Sequence, residues 1–216
     1  MRHSRITAIA LALFSVTCFA QDDAELIIGF PQVLVVTNQG EFVVELDADR
    51  APYTATRFHD LVTSGYYDKT IFHRVVAGFV IQGGGHRADM SVTPAVDKLI
   101  NESGNGLSNE RGTIAMAREN SPHTATSQFY INVANNDRLD PSRDRWGYAV
   151  FGRVVSGMDT VDTIAALPVS NRGQFQNVPS MPVTVTSMRV LSAEEVEARA
   201  QAELEKAEAM LLEITE

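Results

Sequence analysis

Two short apolar runs, residues 33–37 and 41–46, predict a β-hairpin. The residues between them are Asn38, Gln39 and Gly40. Because Asn and Gly tolerate the positive φ of a tight turn, this spacer is typical of a hairpin connection.

After the hairpin, the spacing of apolar residues changes to that of a helix. Apolar residues recur at intervals of three and four, namely Ala55, Phe58, Leu61 and Val62. Pro52 precedes them, where the first turn of a helix tolerates a missing N–H, and Gly65 follows them as a stop signal. The pattern predicts a helix that begins at Pro52.

Short extended runs dominate the rest of the chain up to residue 191. Strands are predicted in two runs joined by Ala77-Gly78 and at residues 113–117, 127–133, 148–154 and 183–191, with a second short helix at 158–167. Residues 84–111 are rich in Gly, Asn, Asp and Ser and predict a long loop. Many short strands with few helices favour a mainly β fold, a closed antiparallel β-barrel.

The last segment, residues 192–216, is predicted to be an amphipathic helix outside the 32–191 domain. Ser192 and Glu195 match a capping box, in which each side chain satisfies a free backbone N–H. One apolar stripe follows at helical spacing, namely Ala193, Val196, Ala200, Leu204, Ala207, Leu211 and Ile214. Three interpretations remain open: the helix packs against its own barrel, frays in water, or contacts a protein partner.

The first twenty residues have a composition of their own. Arg2 and Arg5 precede the apolar run 6–16, and Ala20 ends the segment before the polar Gln21. This is the pattern of a secretory signal peptide, residues 1–20, cleaved after Ala20. The run is short for a membrane span. A lipid anchor at Cys18 is the alternative.

Net charge, cysteine content and the lack of two motifs exclude several classes of partner and of enzyme. Loss of residues 1–20 removes two arginines and the only cysteine, which takes the formal charge from −9 to −11. No disulfide is then available, so stability depends on a buried core. An acidic chain without a basic stripe argues against nucleic acid or anionic lipid as partners. No G-x-S-x-G or H-E-x-x-H motif supports a hydrolase.

The segment 72–85 carries the most specific chemistry. Strand alternation predicts that Phe72 shares a face with Arg74, and Val80 with Gln82. A guanidinium framed by aromatic surface, beside a carboxamide, can hold an apolar ring and donate hydrogen bonds to an adjacent amide. His73 alternates with these residues and is expected to face away from them.

Four ordered segments, 72–85, 112–117, 127–131 and 148–154, resemble the signatures of the cyclophilin-type peptidyl-prolyl cis-trans isomerases. The loop residues 105–107 and 121–126 look most like the bacterial periplasmic subclass. The resemblance implies an eight-stranded antiparallel β-barrel capped by two helices. It also implies an enzyme, a rotamase without cofactor or metal, that assists the folding of exported polypeptides by rotating their X–Pro bonds.

The same resemblance assigns catalytic and substrate-binding roles to individual residues. It implies that Arg74 and Gln82 are the catalytic residues, with Gln82 positioning either Arg74 or the substrate carbonyl. The remaining groove positions are Phe72, Phe79, Val80, Ala117, Gln128, Phe129, Tyr130, Leu139 and Tyr148.

Several positions depart from the family pattern. Tyr148 replaces a frequent His, Tyr130 a frequent Phe, Arg118 a frequent Asn and Ala77 a Pro, while Arg138 stands where eukaryotic members often have a Trp that contacts cyclosporin. Because none of these changes removes Arg74, we expect activity with an altered substrate preference. The alternative is a non-catalytic peptide-binding or holdase module that uses the same groove.

Overall fold

The computed structural model describes residues 26–214. The predicted signal peptide, with Cys18, lies outside this range. The described elements, in chain order, are β1 Gln32–Thr37, β2 Gly40–Leu46, α1 Pro52–Thr63, β3 Thr70–Val76, β4 Val80–Arg87, β5 Thr113–Met116, β6 Phe129–Asn132, a short 3-10 helix Asp137–Leu139, β7 Val150–Ser156, α2 Met158–Ala165, β8 Val169–Arg172, β9 Phe175–Pro179, β10 Val185–Val190 and α3 Ala193–Ile214.

Eight of the strands form one antiparallel sheet in the order β10-β1-β2-β7-β5-β6-β4-β3. The two outer strands of this order meet. The N–H of Phe72 donates to the carbonyl of Val183, and that of Lys69 to the carbonyl of Val185, both over 2.9 Å. The sheet therefore nearly closes into a barrel, and the predicted mainly β fold is confirmed.

Helices α1 and α2 each bury an apolar face against the barrel core. The ring of Phe58 on α1 lies 5.1–5.4 Å from the rings of Tyr67, Phe129 and Phe151. The N-terminus of α1 is capped from the long loop, since Glu102 accepts the backbone N–H of Thr54 over 2.7 Å. A carboxylate is stabilised there by the free N–H groups and the helix dipole.

The capping box of α3 is present as predicted. The N–H of Ser192 donates to the Glu195 carboxylate over 3.0 Å, and the N–H of Glu195 donates to the Ser192 hydroxyl over 3.2 Å. Val196 then packs against Leu34 and Val43.

The early turns of α3 therefore lie against their own barrel, and further contacts extend along the helix. Arg199 pairs with Glu41 over 3.1 Å, and the Ser156 hydroxyl donates to Glu203. Leu204 is 53% exposed. The structure does not describe the side chains of Leu211 and Ile214, the last two members of the predicted stripe. Among the described residues, no helix is both long enough and apolar enough to span a membrane.

The β8–β9 hairpin was not predicted, because the residues of β8 are all exposed and carry no apolar alternation. The hairpin lies over two buried histidines. The rings of His73 and His86 are 4.5 Å apart, and Phe175 of β9 lies 4.9 Å from His86. In the described part of the chain neither Nδ1 atom has a hydrogen-bond partner.

Burial makes this histidine pair sensitive to acid. Burial, together with the smaller effects of the His86 and Arg74 charges, lowers the pKa of His73 to about 4. Burial also lowers the pKa of His86. Because the ordinary value is 6.5, the unfolded chain binds more protons than the folded one between these values. The pair therefore stabilises the fold above pH 6.5, and this stability is lost as the pH falls toward 4.

We predict that the free energy of unfolding falls more between pH 7 and pH 5 in the wild type than in His86→Phe, by at most about 2 kcal/mol, the limit for one histidine that titrates at its ordinary value in the unfolded chain. The phenylalanine keeps the aromatic packing and removes one titrating ring. Urea denaturation at the two pH values measures the difference, with His59→Gln as the control for a histidine on the outer side of α1. Equal pH dependence of the wild type and His86→Phe would contradict the assignment.

Candidate active site

A register irregularity in β3 decides which residues reach the outer surface of the barrel. Arg74 pairs with Gln82 and Phe72 with Gly83, and the register shifts between these pairs. Such a bulge breaks the alternation of side chains. Phe72 is therefore fully buried in the core, whereas Arg74 lies half-buried on the outside. The prediction that Phe72 and Arg74 share a face was wrong.

The neighbouring strands β4 and β6 keep regular alternation. Val80 and Gln82 face outward, while Ile81 between them belongs to the core. On β6, Tyr130 faces outward, while Phe129 packs in the core, 5.9 Å from the ring of Phe72. The assignment of Phe129 to the groove was therefore wrong, since adjacent residues of a strand point to opposite faces.

Outward-facing residues of three strands meet loop residues around one hollow of about 190 Å³, which we call the Arg74 hollow. Its lining comprises Arg74, Phe79, Val80, Gln82, Ala117, Arg118, Tyr130, Leu139 and Tyr148. Eight of the eleven residues predicted for the site thus lie together. Arg118 also lines the hollow, although the sequence indicates it only as a departure from the family pattern and not as a groove position.

A hydrogen-bond relay holds the guanidinium at the edge of this hollow. Arg74 donates through Nη1 to the Gln82 carbonyl over 3.4 Å, and Gln82 donates to Gln128 over 3.1 Å. The guanidinium carbon lies 5.8 Å from the centre of the Phe79 ring. Gln128 therefore supports the site from behind Gln82 and does not line the hollow. Since Arg carries five N–H donors, most remain available to a ligand.

Tyr130 presents its ring to the hollow and its hydroxyl to the interior. The hydroxyl donates to Asn109 over 2.7 Å, and Asn109 in turn donates to the Asp140 carboxylate over 2.7 and 2.8 Å. Burial raises the pKa of Tyr130 well above its ordinary value, and the nearby Tyr148 and Asp140 add to the shift. The phenol therefore stays protonated, and the wall of the hollow is apolar at this point.

Arg118 forms the opposite rim. Its guanidinium carbon lies 4.6 Å from the centre of the Tyr148 ring. Its Nη2 and Nε atoms donate to the carbonyls of Trp146 and Gly147 over 2.7 and 3.1 Å. The aromatic contact and the hydrogen bonds are both favourable for a guanidinium. Among the described residues, no group of three or more His, Cys, Asp or Glu side chains is placed to hold a metal ion.

Comparison with known proteins agrees with this architecture. The family model described as cyclophilin type peptidyl-prolyl cis-trans isomerase/CLD matches residues 32–190. The chain belongs to this family.

Bacterial cyclophilins are among its relatives. The chain is 43% identical over 187 residues to peptidyl-prolyl cis-trans isomerase A of Dickeya dadantii, covering 87% of this chain and 97% of the relative. It is 46% identical over 157 residues to peptidyl-prolyl cis-trans isomerase B of Escherichia coli, covering 71% and 96%. The protein is thus a cyclophilin-type isomerase that acts on proline-containing polypeptides.

Solved cyclophilins have the same fold. A cyclophilin type peptidyl-prolyl cis-trans isomerase of Cryptosporidium parvum is 27% identical, with a TM-score of 0.64 over 76% of this chain and 99% of that one. A second structure of that protein, determined in the presence of the dipeptide Ala-Pro, gives a TM-score of 0.63 over 74% and 99%.

Gly85 offers a test of the relay, because it leaves room for Gln128. A Cβ atom at Gly85 would lie 2.6 Å from both Cγ and Nε2 of Gln128. We predict that Gly85→Ala displaces Gln128, removes the acceptor of Gln82 and lowers isomerase kcat/KM about 2- to 10-fold, the worth of one hydrogen bond. Fold stability should change little, since the displaced side chain is flexible and half-buried.

The control for this prediction is Gly104→Ala, since a Cβ atom there meets nothing within 4 Å. Adding Gln128→Ala to Gly85→Ala should cost nothing further, because both changes break the same link. If Gln128→Ala alone lowers activity and Gly85→Ala does not, the steric part of the argument fails.

Proposed function

We propose that Arg74 catalyses the isomerisation by donating a hydrogen bond to the prolyl nitrogen of a twisted X–Pro amide. The observation that carries this proposal is the position of its guanidinium, held by Gln82, at the edge of a small hollow that is also lined by apolar and aromatic side chains. In this arrangement the proline ring contacts Phe79, Val80, Tyr130 and Leu139. The bond that rotates then lies beside the guanidinium.

The chemistry needs no nucleophile, metal or proton shuttle, because no covalent bond is made or broken. Amide resonance opposes the rotation with a barrier of about 18–20 kcal/mol. When the amide twists, the prolyl nitrogen loses conjugation and its lone pair becomes a hydrogen-bond acceptor. A donor fixed at that position stabilises the twisted state more than the planar one, which is the condition for catalysis.

The relay supports this role by fixing the donor before the substrate binds. Gln128 orients Gln82, and Gln82 orients Arg74. Preorganised donors cost no rearrangement at the moment of reaction, and each charge-assisted hydrogen bond contributes about 1.5–3 kcal/mol. Because the Tyr130 hydroxyl is already engaged by Asn109, it does not compete for the same amide.

The proposed substrates are unfolded or partly folded polypeptides in the periplasm. The signal-peptide pattern of residues 1–20, with cleavage after Ala20, supports export, and the bacterial relatives named above are consistent with a bacterial host. The proposed division of the chain is residues 1–20, the isomerase domain 32–191 and the helix 192–216. The open position of the hollow on the outer barrel wall suits segments of an unfolded chain, so isomerisation there would assist folding.

We predict that Arg74→Ala lowers kcat/KM for an uncharged proline peptide about 10- to 100-fold, the loss of one or more charge-assisted hydrogen bonds. Arg74→Lys should retain part of the activity, because it keeps the charge but loses the planar geometry. A protease-coupled proline peptide assay measures both variants.

Arg153→Ala serves as the matched control, since Arg153 is an exposed arginine on β7 that pairs with Glu45. Full turnover by a folded Arg74→Ala protein would refute the catalytic role. Binding of proline peptides without turnover by the wild type would instead favour the peptide-binding alternative.

A further inference from the structure

The loop of residues 140–147 leaves the Arg74 hollow and returns to it. Leu139 and Tyr148, the residues on either side of the loop, both line the hollow. The backbone N–H of Tyr148 donates to the carbonyl of Leu139 over 2.9 Å and closes the base of the loop. The loop therefore begins and ends at the wall of the Arg74 hollow.

This loop is held in place by hydrogen bonds from three sides. The N–H of Gly147 donates to the Ser103 hydroxyl over 3.1 Å, and the carbonyl of Gly147 accepts from the Asn101 amide over 3.0 Å and from Arg118 over 3.1 Å. Within the loop, Ser142 and Arg145 exchange backbone hydrogen bonds over 2.8 and 3.3 Å. Its side chains are therefore presented from a preorganised backbone.

A second hollow, of about 460 Å³, lies on this loop, and we call it the loop hollow. Its lining comprises Ser103, Gly104, Pro141, Ser142, Arg143, Asp144, Arg145 and Trp146. Trp146 is 49% exposed, and its ring contacts His123 at 5.3 Å. The loop hollow thus combines an accessible aromatic surface with two guanidinium groups and one carboxylate.

The two arginines differ in how far they are engaged. Arg145 donates to the carbonyl of Asp140 over 2.8 Å, whereas within the described residues Arg143 forms neither a hydrogen bond nor a salt bridge. The chain as a whole carries a formal charge of −9. A locally positive hollow on an acidic protein favours an anionic group there over the same group elsewhere on the surface.

We propose that the loop hollow is a specificity subsite that prefers substrates with an Asp or Glu side chain close to the proline. The planar guanidinium groups of Arg143 and Arg145 match a carboxylate in geometry as well as in charge. Because Leu139 and Tyr148, at the two ends of the loop, line the Arg74 hollow, we place the acidic residue within a few residues of the proline. This inference rests on the proposed binding of the proline in the Arg74 hollow.

The first test compares the wild-type enzyme on matched peptides that carry Glu, Gln or Lys at each position up to three residues on either side of the proline. At one or more positions, we expect kcat/KM to be about 2- to 5-fold higher for Glu than for Gln, the worth of an exposed ion pair, and lower again for Lys. The preference should shrink as salt is added. An active enzyme with equal kcat/KM for all three peptides at every position would overturn this inference and leave the proposed role of Arg74 intact.

The second test assigns the preference to the loop. Arg143→Gln should reduce the ratio of kcat/KM for the Glu peptide to that for the Gln peptide toward 1, because it removes a positive charge. Asp144→Asn should increase this ratio, because it removes a negative charge. Lys206→Gln, which removes the same charge on α3, should leave it unchanged. Arg74→Ala should lower kcat/KM for all the peptides by the same factor. A Glu preference that persists unchanged in both loop variants would place the source outside the loop and overturn the proposal.

Discussion

The bulge between Phe72 and Arg74 is the constraint on which the groove depends. In a strand without it, both side chains would point the same way. Either the arginine would be buried in the core at a high desolvation cost, or Phe72 would leave the aromatic cluster that it forms with Phe42 and Phe129. The bulge places the phenylalanine inside and the guanidinium outside. Gly83 completes the arrangement, since a Cβ atom there would lie 3.2 Å from the Phe72 ring.

Around this point, most polar groups of the groove already have partners. The hydroxyl of Tyr130 is bound by Asn109, Gln82 lies between Arg74 and Gln128, and Arg118 is occupied by backbone carbonyls and the Tyr148 ring. Arg74 combines a fixed position with several N–H donors left over. The hollow thus combines apolar surface with directed guanidinium donors, the arrangement that we propose stabilises a twisted amide.

The structural features that depend on neighbouring residues or on a periodic pattern could be predicted from the sequence. The β1–β2 hairpin, the start of α1 at Pro52 and the capping box at Ser192 all follow from neighbouring residues, and the structure contains them. Phe72 was misassigned because a bulge leaves no mark in an alternation pattern. Phe129 was misassigned although its alternation with the outward-facing Tyr130 could have excluded it. The β8–β9 hairpin could not be predicted because β8 is polar and exposed. The loop hollow could not be predicted because its walls come from segments that are distant in the sequence.

A crystal structure of the mature protein with a short X-Pro peptide tests the central claim most directly. We expect the proline ring to lie against Phe79, Val80, Tyr130 and Leu139, with a guanidinium nitrogen of Arg74 within about 3.2 Å of the prolyl nitrogen or of the amide that it belongs to. A proline ring bound elsewhere on the barrel, or an Arg74 side chain directed away from the bound amide, would contradict it.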